Sequence, residues 1–364
     1  MIIAEIIKHL EDFAPVSTAE DFDNVGLLVG QPETTVTGIL ITLDTLEEVV
    51  EEAIATNCNL IVSFHPIIFS GLKRLNGANY VERTVIKAIQ NNIAIYAIHT
   101  ALDNHHLGVN KMICDKLELL NTRILIPKKN NIKKLTTYIP TAKAAQLRQK
   151  LFEAGAGSIG NYDECSFNLE GIGSFKPGEQ ANPVIGTSGE THFEKETQIN
   201  VTFPLNVESQ ILKALFKNHP YEEVAYEVTT LDNSNQQIGM GMIGELKQEM
   251  EEVVFLSEIK KIFKTGCIRH SELLGKPVKK VAVLGGSGSF AIENAKKAGA
   301  DIFISADFKY HDFYKAEQKL VLADIGHYES EQYTKNLLHS YLSKKISNFA
   351  LILSNTKTNP IKYY

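Results

Sequence analysis

Gly38-Ile-Leu-Ile-Thr-Leu-Asp44, followed by a helical stretch over 47–55 and then by Leu60-Ile-Val-Ser-Phe64, is the passage whose reading decides the fold. Two short apolar runs flank a segment whose apolar residues recur at helical spacing, which predicts strand, helix, strand. The pattern continues outward to a helix over 80–90 and the strand Ile93-Ala-Ile-Tyr-Ala-Ile98. It returns in the last third, with a strand over 278–284, a helix over 292–298, the strand Asp301-Ile-Phe-Ile-Ser305, a helix over 312–318 and the strand Leu320-Val-Leu-Ala-Asp324. Alternation of this kind is α/β in class. The two thirds read as pseudo-equivalent halves of one sheet. In that alignment His65 corresponds to Asp307, and His99-x-x-x-Asp103 to His327-x-x-x-Glu331.

Between the halves the character of the chain changes. Lys128-Lys-Asn-Asn-Ile-Lys-Lys134 is a polar, basic hinge. After it, strands at Leu135-Thr-Thr-Tyr-Ile139 and Gln198-Ile-Asn-Val-Thr-Phe203 alternate with helices over 141–153 and 207–218, which predicts a small inserted α+β domain. The expected organisation is therefore a pseudo-symmetric, two-lobed α/β domain made of residues 1–127 and 236–364, with the insert at 133–231. A glycine-rich loop in the insert, Ser174-Phe-Lys-Pro-Gly178 through Gly186-Thr-Ser-Gly189, serves either as a ligand contact or as a structural connection.

Bulk properties narrow the functional classes. The chain has 364 residues, 44% hydrophobic and 22% charged, enough to bury a core and to form more than one domain. Its formal net charge of -6 argues against nucleic acid as a partner, since phosphate binding relies on clustered lysine and arginine. Cys58, Cys114, Cys165 and Cys267 are far apart and form no C-x-x-C pair, so neither a thiolate metal site nor a disulfide framework is indicated. The N-terminal apolar residues are interrupted by Glu5, Lys8 and His9, and no long apolar run follows. The expectation is a cytoplasmic protein with no membrane partner.

The chemistry gathers at strand ends. In α/β sheets the carboxyl ends of strands carry ligands, because the turns there are free of sheet hydrogen bonding. His65, His99, Asp103, Asp307, His327 and Glu331 all fall at or just beyond such ends. In each His-x-x-x-acid phrase, four residues span about one helical turn, so both side chains project from one face, as metal ligands must. Imidazole nitrogen with carboxylate oxygen suits zinc, iron, manganese or cobalt better than calcium. Taken singly, each of these residues reads as an ordinary hydrogen-bonded structural group. The doubled pattern reverses that reading for His65, Asp103, His327 and Glu331, whereas His99 reads either as a ligand or as a residue that orients one. His105 and His106 are neighbours that point apart on a helix and are left out of the site.

Two further stretches remain open. Gly285-Gly-Ser-Gly-Ser289 lies between a strand and a helix, where its amides would cradle an anion or its turn would let the backbone approach the metal cleft. Asp23-Asn-Val-Gly26 reads either as an Asx-type turn or as a presentation of Asp23 and Asn24 to substrate.

Phe22-Asp-Asn-Val-Gly-Leu-Leu-Val-Gly30, Ser63-Phe-His-Pro-Ile-Ile-Phe69, Ala97-Ile-His-Thr-Ala-Leu-Asp103 with Gly108-Val-Asn110, Gly285-Gly-Ser-Gly-Ser289 and Asp324-Ile-Gly-His-Tyr-Glu-Ser-Glu331 stand in this order. Together they resemble the Nif-type family of NGG-interacting-factor-like dinuclear metal-centre proteins, many of which carry the label GTP cyclohydrolase I type 2 homologue. The insert, with Gly155-Ala-Gly-Ser-Ile-Gly-Asn-Tyr162 and His219-Pro-Tyr-Glu-Glu-Val224, is similar to that of the longer bacterial members, which is ferredoxin-like of the PII or CutA kind. The resemblance implies two divalent metal ions, zinc first with iron, manganese or cobalt as alternatives. It also implies a toroidal homohexamer whose metal sites face an internal cavity. By motif the ligands fall on His65, Asp103, His327 and Glu331, with Glu331 as the bridge. Many members have two adjacent histidines where this chain has Phe64-His65, so one ion loses a ligand or recruits another group such as His99. Two functions follow from the resemblance: a metal-dependent hydrolase acting on a nucleotide or related small phosphate compound, or a non-catalytic metal-binding or regulatory protein whose insert senses a ligand. His99, Asp307 and His311 are the remaining candidates for acid–base work.

Overall fold

The computed structural model describes residues 1–347 and 349–364, and it falls into two compact units, one of Met1–Pro127 with Gln237–Tyr364 and one of Lys128–Gln236. No helix among the described residues is long and apolar enough to cross a membrane.

The larger unit holds two sheets. The first has five strands in the spatial order Gly26–Val29, Ala94–Ala97, Leu60–Ser63, Ile39–Thr42 and Leu351–Leu353. The second has six, in the order Arg269–His270, Val321–Asp324, Ile302–Ala306, Val278–Ser287, Asn235–Met250 and Leu120–Lys128. In each sheet three consecutive strands run parallel, and the third is flanked by an antiparallel strand. The repeat expected from the sequence is therefore present in the topology.

The two halves do not, however, share one sheet. The outer edge of Ala94–Ala97 is taken by Gly26–Val29, and that of Val321–Asp324 by Arg269–His270. At the other edges, Leu351–Leu353 pairs with Ile39–Thr42, and Asn235–Met250 pairs with Val278–Ser287. With those ladders satisfied, the sheets meet through side chains instead. Alternate residues Ile39, Ile41, Leu60, Val62 and Tyr96 of the first sheet join Val281, Val283, Ile302, Ile304 and Val321 of the second in one buried core. Helices Ile3–Phe13, Val109–Lys116, Glu252–Phe263 and Thr334–Lys345 contribute to that same core. The intervening residues face the other way: Leu40, Ile61 and Ile95 pack with helices Glu47–Ala55 and Tyr80–Gln90, and Ala282, Phe303 and Leu322 with helix Ile292–Lys297. Strands buried on both faces explain why the first-read segments are near-continuously apolar rather than alternating.

One predicted helix, over 312–318, differs. Tyr310–Ala316 is a 3-10 helix, stopped where Glu317 takes a left-handed conformation at φ 48°. Its first turn is closed by Asp312, which accepts the Lys309 amide at 2.9 Å.

The smaller unit has the element order β-α-β-β-α-β, with strands Ile132–Pro140, Phe167–Phe175, His192–Pro204 and Tyr226–Leu231 and helices Thr141–Glu153 and Glu208–Asn218. Its sheet is antiparallel, in the order Phe167–Phe175, His192–Pro204, Ile132–Pro140, Tyr226–Leu231. Leu135, Ile139, Ile199, Val201 and Phe203 cover one face with Leu147, Leu151, Ile211 and Leu215 from the helices. The opposite face carries no helix of this unit.

Candidate metal centre

The site forms where the parallel strands of both sheets end. His65 follows Leu60–Ser63 and lies 2.9 Å from the Leu43 carbonyl through its backbone amide, which fixes the turn. His99 to Asp103 and His327 to Glu331 form matching one-turn helices, each placed after the third parallel strand of its sheet. The four-residue spacing thus spans one helical turn in both halves.

Three side chains converge. Ligating atoms of His65, His327 and Glu331 all lie within 4.8 Å of one another. Glu331 Oε2 stands 3.1 Å from His65 Nε2 and 3.2 Å from His327 Nε2. Each imidazole is held at its other nitrogen by a carboxylate: His65 Nδ1 lies 2.7 Å from Asp44 Oδ1, and His327 Nδ1 lies 2.7 Å from Asp307 Oδ2. A third imidazole is held alike, with His99 Nδ1 2.8 Å from Asp23 Oδ1. A carboxylate on Nδ1 fixes the ring orientation and makes Nε2 the more basic ligand, the arrangement that metal-binding histidines adopt.

Charge balance follows from this geometry. Burial opposes charge on His65 and His327, but Glu331 with Asp44 pushes the first up to about 10, and Asp307 with Glu331 pushes the second up to about 11. Burial likewise opposes ionisation of Glu331, yet the two imidazoles hold it down at about 2. Without a metal ion, protons on the two histidines offset part of the charge of Glu331, Asp44 and Asp307. A divalent cation at the same place would replace them, because the carboxylates favour whatever positive charge is available.

Asp103 lines the same cavity, of about 310 Å³, but lies outside the 4.8 Å set. Its carboxylate is buried, its Oδ1 has no hydrogen-bond partner among the described residues, and burial with the nearby Glu331 raises its pKa well above the usual range. A buried carboxylate oxygen without a partner is costly. A cation would relieve it, so the donor set fits a metal ion. His99 and Thr100 line this cavity as well.

Other candidates find structural roles. Phe64 is fully buried in the shared core, edge-on to His99 at 5.5 Å between ring centroids, so the position beside His65 is filled by packing. Asp23 accepts hydrogen bonds from the Thr100 amide at 3.0 Å and hydroxyl at 2.5 Å besides holding His99, and Asn24 donates to the Ile68 carbonyl at 2.5 Å. Both are engaged within the protein. His105 packs edge-on to Phe13, and the His106 amide donates to the Gln237 carbonyl. His311 is exposed beside Tyr310 and lines no part of this cavity.

The glycine turn resolves between its two readings. The Gly285 amide donates to Asn110 Oδ1 at 3.0 Å, that of Gly286 to Ser330 Oγ at 2.9 Å, and that of Gly288 to the Ala306 carbonyl at 3.3 Å. These donors are already used and do not cradle an anion. Gly286 has φ +67°, and a Cβ there would lie 2.4 Å from Glu331 Oε1 and 3.2 Å from His327 Nε2. The turn is glycine because backbone and ligands meet there.

Asp44, two residues beyond strand Ile39–Thr42, belongs to no spacing motif with the histidine it holds. Its partner His65 is 21 residues away, and that of Asp23 is 76 residues away. Only their positions at or beside the ligand end of a sheet could have flagged them.

Two facing α/β repeats with a histidine–carboxylate cluster between their strand ends define the class. The family model for Duf34/NIF3 (NGG1p interacting factor 3) matches residues 1–360. The chain belongs to this family. A Bacillus subtilis protein named GTP cyclohydrolase 1 type 2 homolog is 37% identical over 99% of this chain and 98% of its own length. A Staphylococcus epidermidis protein of the same name is 36% identical over the full length of both. Among solved structures, a Bacillus cereus protein related to NIF3 matches with a TM-score of 0.86 at 36% identity, covering 100% of this chain and 99% of that one. A Staphylococcus aureus protein matches with a TM-score of 0.79 at 31% identity and the same coverage.

Proposed function

We propose that this protein is a metal-dependent hydrolase acting on a nucleotide or a related phosphate compound, with two divalent ions held by His65, Asp103, His327 and Glu331. The observation that carries it is the convergence of two carboxylate-oriented imidazoles on Glu331, beside the unpartnered oxygen of Asp103. Zinc is the first choice, with iron, manganese or cobalt as alternatives. When bound, such an ion supplies Lewis acidity and lowers the pKa of its water to about 7. The chain's own residues do the rest. Asp44 and Asp307 orient the two histidines, and His99, anchored by Asp23, accepts a proton inside the cavity. Phe22, Phe69 and Phe290, exposed by 66%, 50% and 58%, offer aromatic faces at the cavity on which a purine would stack. The name shared by the relatives, GTP cyclohydrolase 1 type 2 homolog, is consistent with a purine nucleotide in that place.

A second reading, metal binding without catalysis, is favoured by the lining of the cavity, which has no lysine or arginine among the described residues. With the glycine amides engaged, a substrate phosphate would depend on the metal alone. Metal analysis with formate and phosphate release from GTP, on wild type and Glu331→Gln, separates the readings. The hydrolase predicts that the variant keeps its melting temperature while losing metal and turnover. A fully metallated wild type that turns over no nucleotide sinks catalysis and leaves metal binding. Wild type that takes up no transition metal sinks both. A homohexamer belongs to the same proposal, and light scattering on the eluting protein tests it.

A further inference from the structure

The His219-Pro-Tyr-Glu-Glu-Val224 phrase plays no part in the metal centre, yet its Tyr221, Glu222 and Glu223 wall a second cavity, of about 560 Å³ and lined wholly by residues of the 128–236 unit. That volume lies in the range of small-molecule sites. His219 anchors the wall: its Nε2 donates to the Tyr138 carbonyl at 3.0 Å, and its Nδ1 accepts the Tyr221 amide at 3.2 Å. The Tyr221 hydroxyl then donates to Glu196 Oε1 at 2.7 Å. Glu222 accepts the Asn182 amide at 3.0 Å, which ties the 176–191 loop across the helix-free face of the sheet. Opposite these groups the cavity is apolar, with Phe175, Pro177, Pro183, Val184 and Ile185.

The charges within this cavity are lopsided. Glu196, Glu222 and Glu223 line it against one cation, Lys176, and none of the three glutamates has an ion-pair partner among the described residues. Gly173 makes room for the Glu196 carboxylate itself, whose Oε2 lies 2.0 Å from where a Cβ at residue 173 would be. A carboxylate at the floor of an apolar chamber repels phosphate and attracts a cation. We propose that this cavity is a binding site for a small aromatic or apolar compound carrying a protonated amine, with the ammonium on Glu196 and the apolar body against Phe175, Pro183 and Val184. The inference does not rest on the metal centre, and its failure would leave that reading untouched.

The chain contains no tryptophan, so tryptamine can serve as its own fluorescent probe against a tyrosine background. Full-length protein titrated with tryptamine should show saturable binding of one molecule per chain. Indole-3-acetate, of similar size but opposite charge, should not bind. Glu196→Gln should weaken tryptamine binding by about tenfold or more, since a charge-assisted bond is lost. Val184→Lys, a change at an exposed wall residue that leaves the core intact, should do the same by repulsion and keeps the test decisive if the first variant folds poorly. Neither variant should alter metal content. No saturable tryptamine binding, equal binding of indole-3-acetate, or wild-type affinity in Val184→Lys overturns the proposal.

Discussion

Asp307 sits in a left-handed conformation at φ 57°, accepting both the Ser287 hydroxyl and His327 Nδ1. Asp307→Ala would free the His327 ring while leaving every proposed ligand in place. We expect metal affinity to fall about 10- to 100-fold, measured by chelator competition, with the melting temperature little changed. Affinity should also fall as pH drops. His65 and His327 are charged below about 10 and 11 in the ion-free protein, so binding must expel their protons. Tyr96 supports a different kind of test, for its ring is fully buried in the shared core and its hydroxyl has no partner among the described residues. Removing an unsatisfied buried hydroxyl costs nothing and can help. Tyr96→Phe should therefore be neutral or stabilising by about 1 kcal/mol in urea unfolding, and a loss of stability would reveal a hydrogen bond that the geometry does not show.

At the scale of elements, the one-turn helices carry the site. The His-x-x-x-acid phrases were legible because their partners lie one turn apart, and His327 with Glu331 makes that contact at 3.2 Å. His99 reads differently in three dimensions, since its Nδ1 is held by Asp23, from a turn far upstream, and no spacing rule reaches that far. The glycine turn makes a sharp prediction. Gly286→Ala places a methyl into Glu331 and His327 in a backbone conformation that alanine adopts at a cost. We expect a loss of about 1–3 kcal/mol of stability together with metal binding, read by thermal melting and metal content. In the insert, His219 accepts the Tyr221 amide at Nδ1 and so must be neutral in the folded state. Burial holds its pKa below the usual value despite the Tyr138 carbonyl and Glu196. Its contribution is present above the unfolded value of about 6.5 and is lost as pH falls below it, since the unfolded chain binds the proton more readily. His219→Gln should cost about 1 kcal/mol at neutral pH and flatten this part of the acid dependence.

For the whole molecule, most of the strands and helices of the α/β repeats in both thirds, and the residues waiting at their strand ends, were determined by the sequence alone, because periodicity and propensity act over a few neighbouring residues; the turn of 3-10 helix over Tyr310–Ala316 and the added strands Leu120–Lys128, Asn235–Met250 and Leu351–Leu353 were not. The helices at Glu47–Ala55, Tyr80–Gln90 and Thr141–Glu153 follow the spacing of their apolar positions. That the repeats form two facing sheets rather than one was decided only in the tertiary structure. Edge ladders are satisfied by strands distant in sequence, such as Leu351–Leu353 on Ile39–Thr42, and the choice among edges is made by which faces can be buried together. The same packing brings His65 to Glu331 from opposite ends of the chain and assigns Asp44 and Asp307 to their histidines. Local sequence specifies a side chain's chemistry and the element that bears it, whereas its partner depends on long-range burial that no window of sequence contains.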